Sequence, residues 1–458
     1  MGRKMIWLWL LAAAVLTLAA CSAGGENPSP DHPDKDVLIY ASFQPLGVNK
    51  EVQLAIEQFN RVHYGKVHIE IRDYWGDDWE TAARGRERLM TELLTDQIPD
   101  ILDLGYSNGS VAMLPYRRLV QKGYLEDLWP FIENDPDLGR DSLLEPPLRA
   151  AEIDGGLYTV FDSVLISTLV GAESAVGDRT SWTMADLRTA YAAMPEDSTV
   201  VEYSTPRKQV AEHLLGMSID RYIDWESGEC SFDCGSFRTD LEFLGELPEE
   251  VVWPSDEELN RELSDRLREG RQLLAQTFLR SPHDMQKWDG LFGERTAFVG
   301  YPVEDGSVGS AFFPSFVRLS MSSTCKNKEA AWEIIRQLLL PRYADQQAVA
   351  DAYNIHNIPV NRADYEMIKC AYMKKDFLNR EYGFYRGFQS VSFHEVTEGE
   401  IRRFEGLLNS VERIELSDSE LLEIVMDAAG PYFAGDKTLD ETVELIQRRA
   451  QLYVNENR

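Results

Sequence analysis

Beyond an apolar leader, the chain alternates short apolar runs with stretches of helical period. Val37-Leu38-Ile39-Tyr40-Ala41 is a compact run of buried-strand type. Val52, Ala55, Ile56 and Phe59 then recur at helical spacing, and Val67, Ile69 and Ile71 alternate with His68 and Glu70 as a strand does. Leu89, Met90, Leu93 and Leu94 mark one face of a second helix, which Pro99 ends, and Ile101-Leu102-Asp103-Leu104 reads as a third strand. Strand, helix, strand, helix, strand predicts parallel strands with right-handed crossovers, an α/β fold.

The texture changes after Trp129. Gly155-Gly156 turns into Leu157-Tyr158-Thr159-Val160, and a longer apolar stretch runs from Val164 to Val170. Thr183-x-x-Asp186 has the form of a helix-opening capping box. Residues 224–237 are rich in turn formers, and Leu273 to Leu279 is either a strand or a buried helix turn. Leu319 to Ser323 leads into Ala331, Trp332, Ile335, Leu338 and Leu339, an amphipathic helix. The last third is helical in character. Thr438-x-x-Glu441 opens a helix whose inner face is Leu439, Val443, Ile446, Ala450 and Tyr453. No internal repeat is present.

The leader decides the compartment. Arg3 and Lys4 precede the apolar run Met5 to Leu18, which at 14 residues is short for a membrane span of roughly 20. It ends in Leu18-Ala19-Ala20-Cys21, small residues before a cut. The cut-site cysteine resembles a bacterial lipobox, which implies cleavage before Cys21 and lipid on its sulfur. Residues 1–20 then form a signal peptide. Ser22 to Asp36, with Gly, Pro, Ser and charge but no aliphatic side chain, make a flexible tether. The folded part is expected at the outer face of the cytoplasmic membrane.

Charge excludes one large class of partner. Without the leader, 44 of the 46 basic residues remain against 77 acidic ones, a net charge of −33. Such a field repels nucleic acid, whose binding depends on basic contacts to phosphate, and it disfavours anionic lipid beyond the tether. Cys230-x3-Cys234 is either a small disulfide or two free thiols. No CxxC pair supports a zinc ribbon, and His63 and His68 stand five apart where a helical metal pair needs three or four. Neither a metal nor a cofactor is expected.

Open parallel sheets bind ligands beyond the carboxyl ends of their strands. The loops there hold Ser42, Phe43 and Gln44, then Asp73, Tyr74, Trp75 and Trp79, then Asp103 and Tyr106. Aromatic faces beside carboxylates suit a polyhydroxylated ligand, whose C–H faces pack on rings while carboxylates accept from its hydroxyls.

Several segments, taken together and in order, resemble the family 1 extracellular solute-binding lipoproteins of carbohydrate-type bacterial ABC importers. They are the lipobox, Ile98-Pro99-Asp100-Ile101-Leu102-Asp103, Tyr124-Leu125-Glu126-Asp127-Leu128, Gly155-Gly156-Leu157-Tyr158 and Ser181-Trp182-Thr183-x-x-x-Leu187. Val299-Gly300-Tyr301-Pro302-x-x-Asp305-Gly306, Lys326-Asn327-Lys328-Glu329-Ala330-Ala331-Trp332 and Ile358-Pro359-Val360-Asn361 follow, then Gly435 and the helix to Tyr453. The resemblance implies a two-lobed periplasmic-binding-protein-like fold of type II, with hinge-crossing segments and a helical C-terminal region. It implies residues 37–157 plus 312–360 in lobe 1 and 158–311 plus 361–458 in lobe 2. The solute sits between the lobes, against Phe43, Tyr74, Trp75, Asp103 and Tyr106 on one wall and Tyr301 and Arg280 on the other. Arg280 is either a fork for hydroxyls or an acidic sugar, or a surface arginine paired with one of many carboxylates.

The function implied is capture of a mono- or oligosaccharide by a monomer and delivery to the permease subunits of an ABC transporter, with no bond broken. A sensor presenting its solute to a membrane receptor needs the same cleft. A lipid-anchored glycoside hydrolase would need a carboxylate pair, for which Asp73, Asp77, Asp78 and Asp103 are available, but no G-x-S-x-G, HExxH or P-loop motif occurs.

Overall fold

The computed structural model describes residues 36–457 apart from 45–46, 96, 105–115, 197, 202–206, 217–218, 226, 248, 250–264, 346–356, 375–390, 392 and 416–418. The leader, Cys21 and Tyr106 lie outside the described residues. Among those residues no helix is long and apolar enough to cross a membrane.

The first sheet contains β1 (Asp36–Ser42), β2 (Val67–Asp73), β3 (Ile101–Asp103), β4 (Val160–Phe161) and β11 (Arg318–Met321), in the order β2-β1-β3-β11-β4. β1 pairs in parallel with β2 and β3, as the alternation of strands and helices predicts. β11 runs antiparallel to β3 and β4. Leu38, Tyr40, Ile69 and Ile101 enter one core, while Ala41 and Leu102 enter another on the opposite face. Helix α1 (Lys50–Val62) covers the first face with Val52, Ile56 and Phe59, and Asn49 caps it by accepting from the Glu51 and Val52 amides. Helix α2 (Trp79–Leu94) opens on a reciprocal Asp78–Thr81 capping box and buries Leu89 and Leu93. Two residues counted on inner faces are in fact outside. Ile71 is 37% exposed because β2 is the sheet's edge, and Leu94 is 71% exposed at the last position of α2.

The second sheet is built around β5 (Ser163–Ala172), the long apolar run, with β8 (Leu274–Leu279), β9 (Thr296–Phe298), β10 (Ala311–Pro314) and β12 (Ile358–Pro359) all antiparallel to it. The ambiguous segment before Leu279 is therefore a strand. A small hairpin, β6 (Ile223–Asp224) with β7 (Glu229–Cys230), occupies the turn-rich stretch. Further helices are α3 (Tyr116–Gln121), α4 (Met184–Ala192), α5 (Gly235–Glu246), α6 (Pro282–Phe292), α7 (Lys328–Ile335), α8 (Glu398–Ser410), α9 (Ser419–Phe433) and α10 (Leu439–Asn457). The Thr183–Asp186 and Thr438–Glu441 pairs do open α4 and α10, each hydroxyl bonded at the helix start. Val443, Ile446, Ala450 and Tyr453 of α10 pack with Leu421 and Val425 of α9.

The chain passes between the sheets over very short distances. Asp162 alone separates β4 from β5, and Ser315-Phe316-Val317 separates β10 from β11. Against the boundaries that the resemblance implies, β4 stands in the first sheet, while β10 and β12 stand in the second. Apolar pattern marks a strand but does not name its partner. Asp162 clasps the crossings together. Its carboxylate accepts from the Ser315 hydroxyl and pairs with Arg342, and its carbonyl accepts from the Val360 amide at 2.8 Å. Replacing Asp162 by alanine leaves Arg342 and Ser315 without this largely buried acceptor. We expect a loss of about 2 kcal/mol in urea denaturation, with Asp162→Asn retaining part of it.

Candidate ligand-binding cleft

The carboxyl ends of β1, β2 and β3 lie side by side and bring Phe43, Tyr74, Trp75 and Asp103 together. Phe43 meets Trp75 edge-on with ring centroids 5.4 Å apart, and Asp73 shapes the loop by accepting from the Trp75 and Gly76 amides at 2.8 and 3.2 Å. The Tyr74 hydroxyl bonds Glu92 and takes a 3.3 Å bond from Arg72, while Arg88 lies 5.3 Å above its ring. Burial pushes the Tyr74 phenol up to about 12. Phe43, Tyr74 and Asp103 line a pocket with Ala41, Arg86 and Leu89, of about 360 Å³ counting the space open to solvent. The rings of Phe43, Tyr74 and Trp75 are buried, and they belong to the core between this loop cluster and α2.

Asp103 is engaged by the protein itself. Its carboxylate accepts from the Tyr40 hydroxyl at 3.0 Å, the Gln44 amide nitrogen at 2.9 Å and the Arg318 backbone N–H at 3.4 Å. The same Gln44 nitrogen also donates to the Phe316 carbonyl at 2.6 Å. The strand ends of the first sheet are thereby tied to the crossing segment. Arg318 lies buried beside Asp103 and Glu415. Burial lowers its guanidinium to about 10, while the two carboxylates oppose the drop. Burial likewise raises the Glu415 carboxyl, and Arg318 holds it down.

The far wall comes from one face of the second sheet. Leu165 pairs with Phe313 and Ser167 with Phe278, so the period of two places these side chains on one face. Ile414 bridges Phe312 and joins the core on the other face, which turns Glu415 toward the face of Phe313. Phe278 stands 5.3 Å from Phe313, and Phe313 stands 6.5 Å from Phe316, ring to ring. Phe278 is 40% and Phe316 58% exposed. An aromatic row therefore climbs from the second sheet onto the crossing, where Gln44 meets it.

The remaining expected residues fall on the second sheet. Tyr301 is 1% exposed, its hydroxyl bonded to Ser167 at 3.2 Å and to Gln276 at 2.8 Å, and burial pushes it up to about 12. Arg280 is exposed two residues beyond Phe278, and its backbone N–H bonds Asp284 at the start of α6. Of the expected set, the fold brings Phe43, Tyr74, Trp75 and Asp103 together and leaves Tyr301 and Arg280 apart from them. Sequence reading did not single out Phe313, Phe316, Arg318 or Glu415. The run Phe312-Phe313-Pro314-Ser315-Phe316 offered a signal, since exposed aromatics in a crossing segment have no core to serve. Glu415 offered none. Among the described residues no group of three or more His, Cys, Asp or Glu is placed to hold a metal ion, and Cys230, Cys234, Cys325 and Cys370 are free thiols.

No protein-family model and no curated protein matches the chain. Solved structures do. One is a periplasmic oligogalacturonide binding protein from Yersinia enterocolitica, at 14% identity over 92% of this chain and 99% of that one, TM-score 0.53. Another is the sugar-binding protein MalE from Xanthomonas citri, at 15% identity over 92% and 98%, TM-score 0.50. A third is a de novo designed esterase improved by directed evolution, at 14% identity over 92% and 99%, TM-score 0.52. At such identities the likeness concerns architecture alone. The chain has the two-lobed solute-binding-protein fold, and that architecture by itself does not decide between binding and catalysis.

Proposed function

We propose that this protein captures a small carbohydrate between its lobes, without breaking a bond, and hands it to the permease of an ABC transporter. The observation that carries the reading is the row Phe278, Phe313 and Phe316, in which exposed Phe278 and Phe316 flank half-buried Phe313 beside Arg318, Glu415 and Gln44. Water-facing rings are costly unless something apolar covers them. The C–H faces of a sugar do so, while the adjacent half-buried Glu415 carboxylate accepts from its hydroxyls. The sugar-binding and oligogalacturonide-binding neighbours support the same solute class.

Lobe 1 then comprises roughly residues 36–161 with 318–345, and lobe 2 roughly 163–314 with 358–457, joined at Asp162, at Ser315–Val317 and by the connection from residue 345 to residue 358. Closure about these strands is the working motion. Lipid on Cys21 holds the body at the outer membrane face. The glycosidase alternative loses three of its four carboxylates to structural duties. Asp73 shapes a turn, Asp78 caps α2 with its carboxyl held low by bonds to Thr81, and Asp103 is filled by three protein donors.

The test is thermal unfolding of the chain from Ser22 onward against mono- and oligosaccharides, neutral and acidic. A solute at about 100 times its Kd adds roughly 2.7 kcal/mol, and it is recovered uncleaved. Phe316→Ala weakens binding about tenfold, the worth of one stacked ring, with the midpoint of the unliganded protein nearly unchanged. Silence across a broad panel overturns the carbohydrate assignment, and a cleaved product overturns the transport role.

A further inference from the structure

We infer that the lobes carry a latch of their own, remote in sequence from the crossings, formed by Arg86 with Glu420 and by Arg117 with Trp225. The inference rests on the two-lobed reading above, but not on the solute being a sugar. Arg86 lies on α2 and Arg117 on α3, both beside the first sheet. Glu420 lies in the first turn of α9, and Trp225 follows β6; both belong to the body built on the second sheet. Arg86 Nη2 stands 3.7 Å from Glu420 Oε2, and the Arg117 guanidinium stands 5.9 Å from the Trp225 ring centre. In both pairs the cation comes from lobe 1 and its acceptor from lobe 2.

Position makes these contacts more than surface pairs. The two bodies meet at the crossings and in the packing beside them, where the Leu144 amide bonds the Val360 carbonyl and Arg362 bonds the Asp141 and Leu143 carbonyls, so a contact made away from that region biases rotation about it toward closure. Arg86 also lines the first-lobe pocket beside Tyr74 and Asp103, and its Nε is buried without a hydrogen-bond acceptor among the described residues. The latch and the candidate cleft therefore share a side chain. Glu415 and Glu420 are likewise five residues apart on one connection, the first facing the cleft and the second the latch.

Magnitudes limit the latch to a bias. A half-exposed ion pair shifts an equilibrium by no more than about fivefold, and a cation–π contact at this range by a similar factor. Together they favour closure by about tenfold, enough to set the balance between forms that differ little. Salt screens the ion pair, with a Debye length of about 3 Å at 1 M, while the Trp225 contact persists.

Small-angle scattering on the solute-free chain from Ser22 onward tests this directly. The radius of gyration should rise in the Glu420→Gln and Trp225→Ala double variant, and partly in the parent protein on moving from 20 mM to 1 M NaCl. The charge exchange Arg86→Glu with Glu420→Arg should restore the parent value, which a merely structural role for either residue would not predict. Matching thermal midpoints keep the comparison among folded proteins. An unchanged radius in the double variant at low salt, or failure of the exchange to restore it, overturns the latch. Because no solute is present, that failure is distinct from failure of the carbohydrate assignment.

Discussion

Gly85→Ala lowers the urea midpoint and costs about 2 kcal/mol or more, although local helix chemistry favours it. Glycine inside a helix is about 1 kcal/mol worse than alanine, and Gly85 sits in the middle of α2. Packing reverses the sign. A Cβ at this position would stand 1.6 Å from the Tyr74 carbonyl oxygen and 2.6 Å from its carbonyl carbon. Backbone cannot rotate away as a side chain does, so either α2 withdraws or the loop carrying Tyr74 and Trp75 moves. Overpacking of this kind costs about 1–3 kcal/mol and occasionally more. The Phe43–Trp75 contact and the first-lobe pocket shift with the loop, so solute binding weakens together with stability. A stabilised variant would show that the helix–loop contact is loose.

Asp240→Ala costs about 3 kcal/mol, the loss typical when one member of a buried pair is removed. Asp240 is fully buried on α5, where its Oδ2 takes hydrogen bonds from Arg221 at 2.5 Å and from the Tyr222 hydroxyl at 2.8 Å. Phe232 and Phe237 pack around Tyr222, which excludes water from the cluster. The other carboxylate oxygen has no hydrogen-bond partner among the described residues. Burial accordingly pushes the Asp240 carboxyl up to about 6 against the pull of Arg221. Since the folded state binds this proton more tightly than the unfolded chain, whose carboxyl titrates near pH 4, the contribution is fully present below about pH 4. It is lost as the pH rises to about 6. Denaturation midpoints measured from pH 4 to 6 should therefore show a falling component that Asp240→Asn removes. An identical pH profile in that variant would refute the assignment.

Legibility followed the range of the physics. Asn49, Asp78, Thr183 and Thr438 act within three residues of themselves, so capping needs no knowledge of the fold; two of these caps are readable as Thr-x-x-Asp and Thr-x-x-Glu. Parallel β1, β2 and β3 follow from strand–helix alternation for the same reason. Edge position is not local, and so Ile71 and Leu94 pass for core residues in the pattern. The candidate site divides likewise. Strand-end loops identify Phe43, Tyr74, Trp75 and Asp103 as neighbours, but residue type does not say that the three rings are buried or that Asp103 is already filled by Tyr40, Gln44 and Arg318.

Composition and periodicity alone determine an acidic α/β protein, with an apolar segment before Cys21 and with aromatic and acidic residues in the loops at the ends of parallel strands. Those properties arise from charge summed over the chain and from contacts a few residues apart. Only the tertiary structure decided that Asp162 gathers the crossings, that Phe278, Phe313 and Phe316 form one row with its two ends exposed, and that Glu415 faces Arg318. Each unites segments tens to hundreds of residues apart. Strand partnership and lobe placement set those distances, and many sequences of equal local pattern would set them differently.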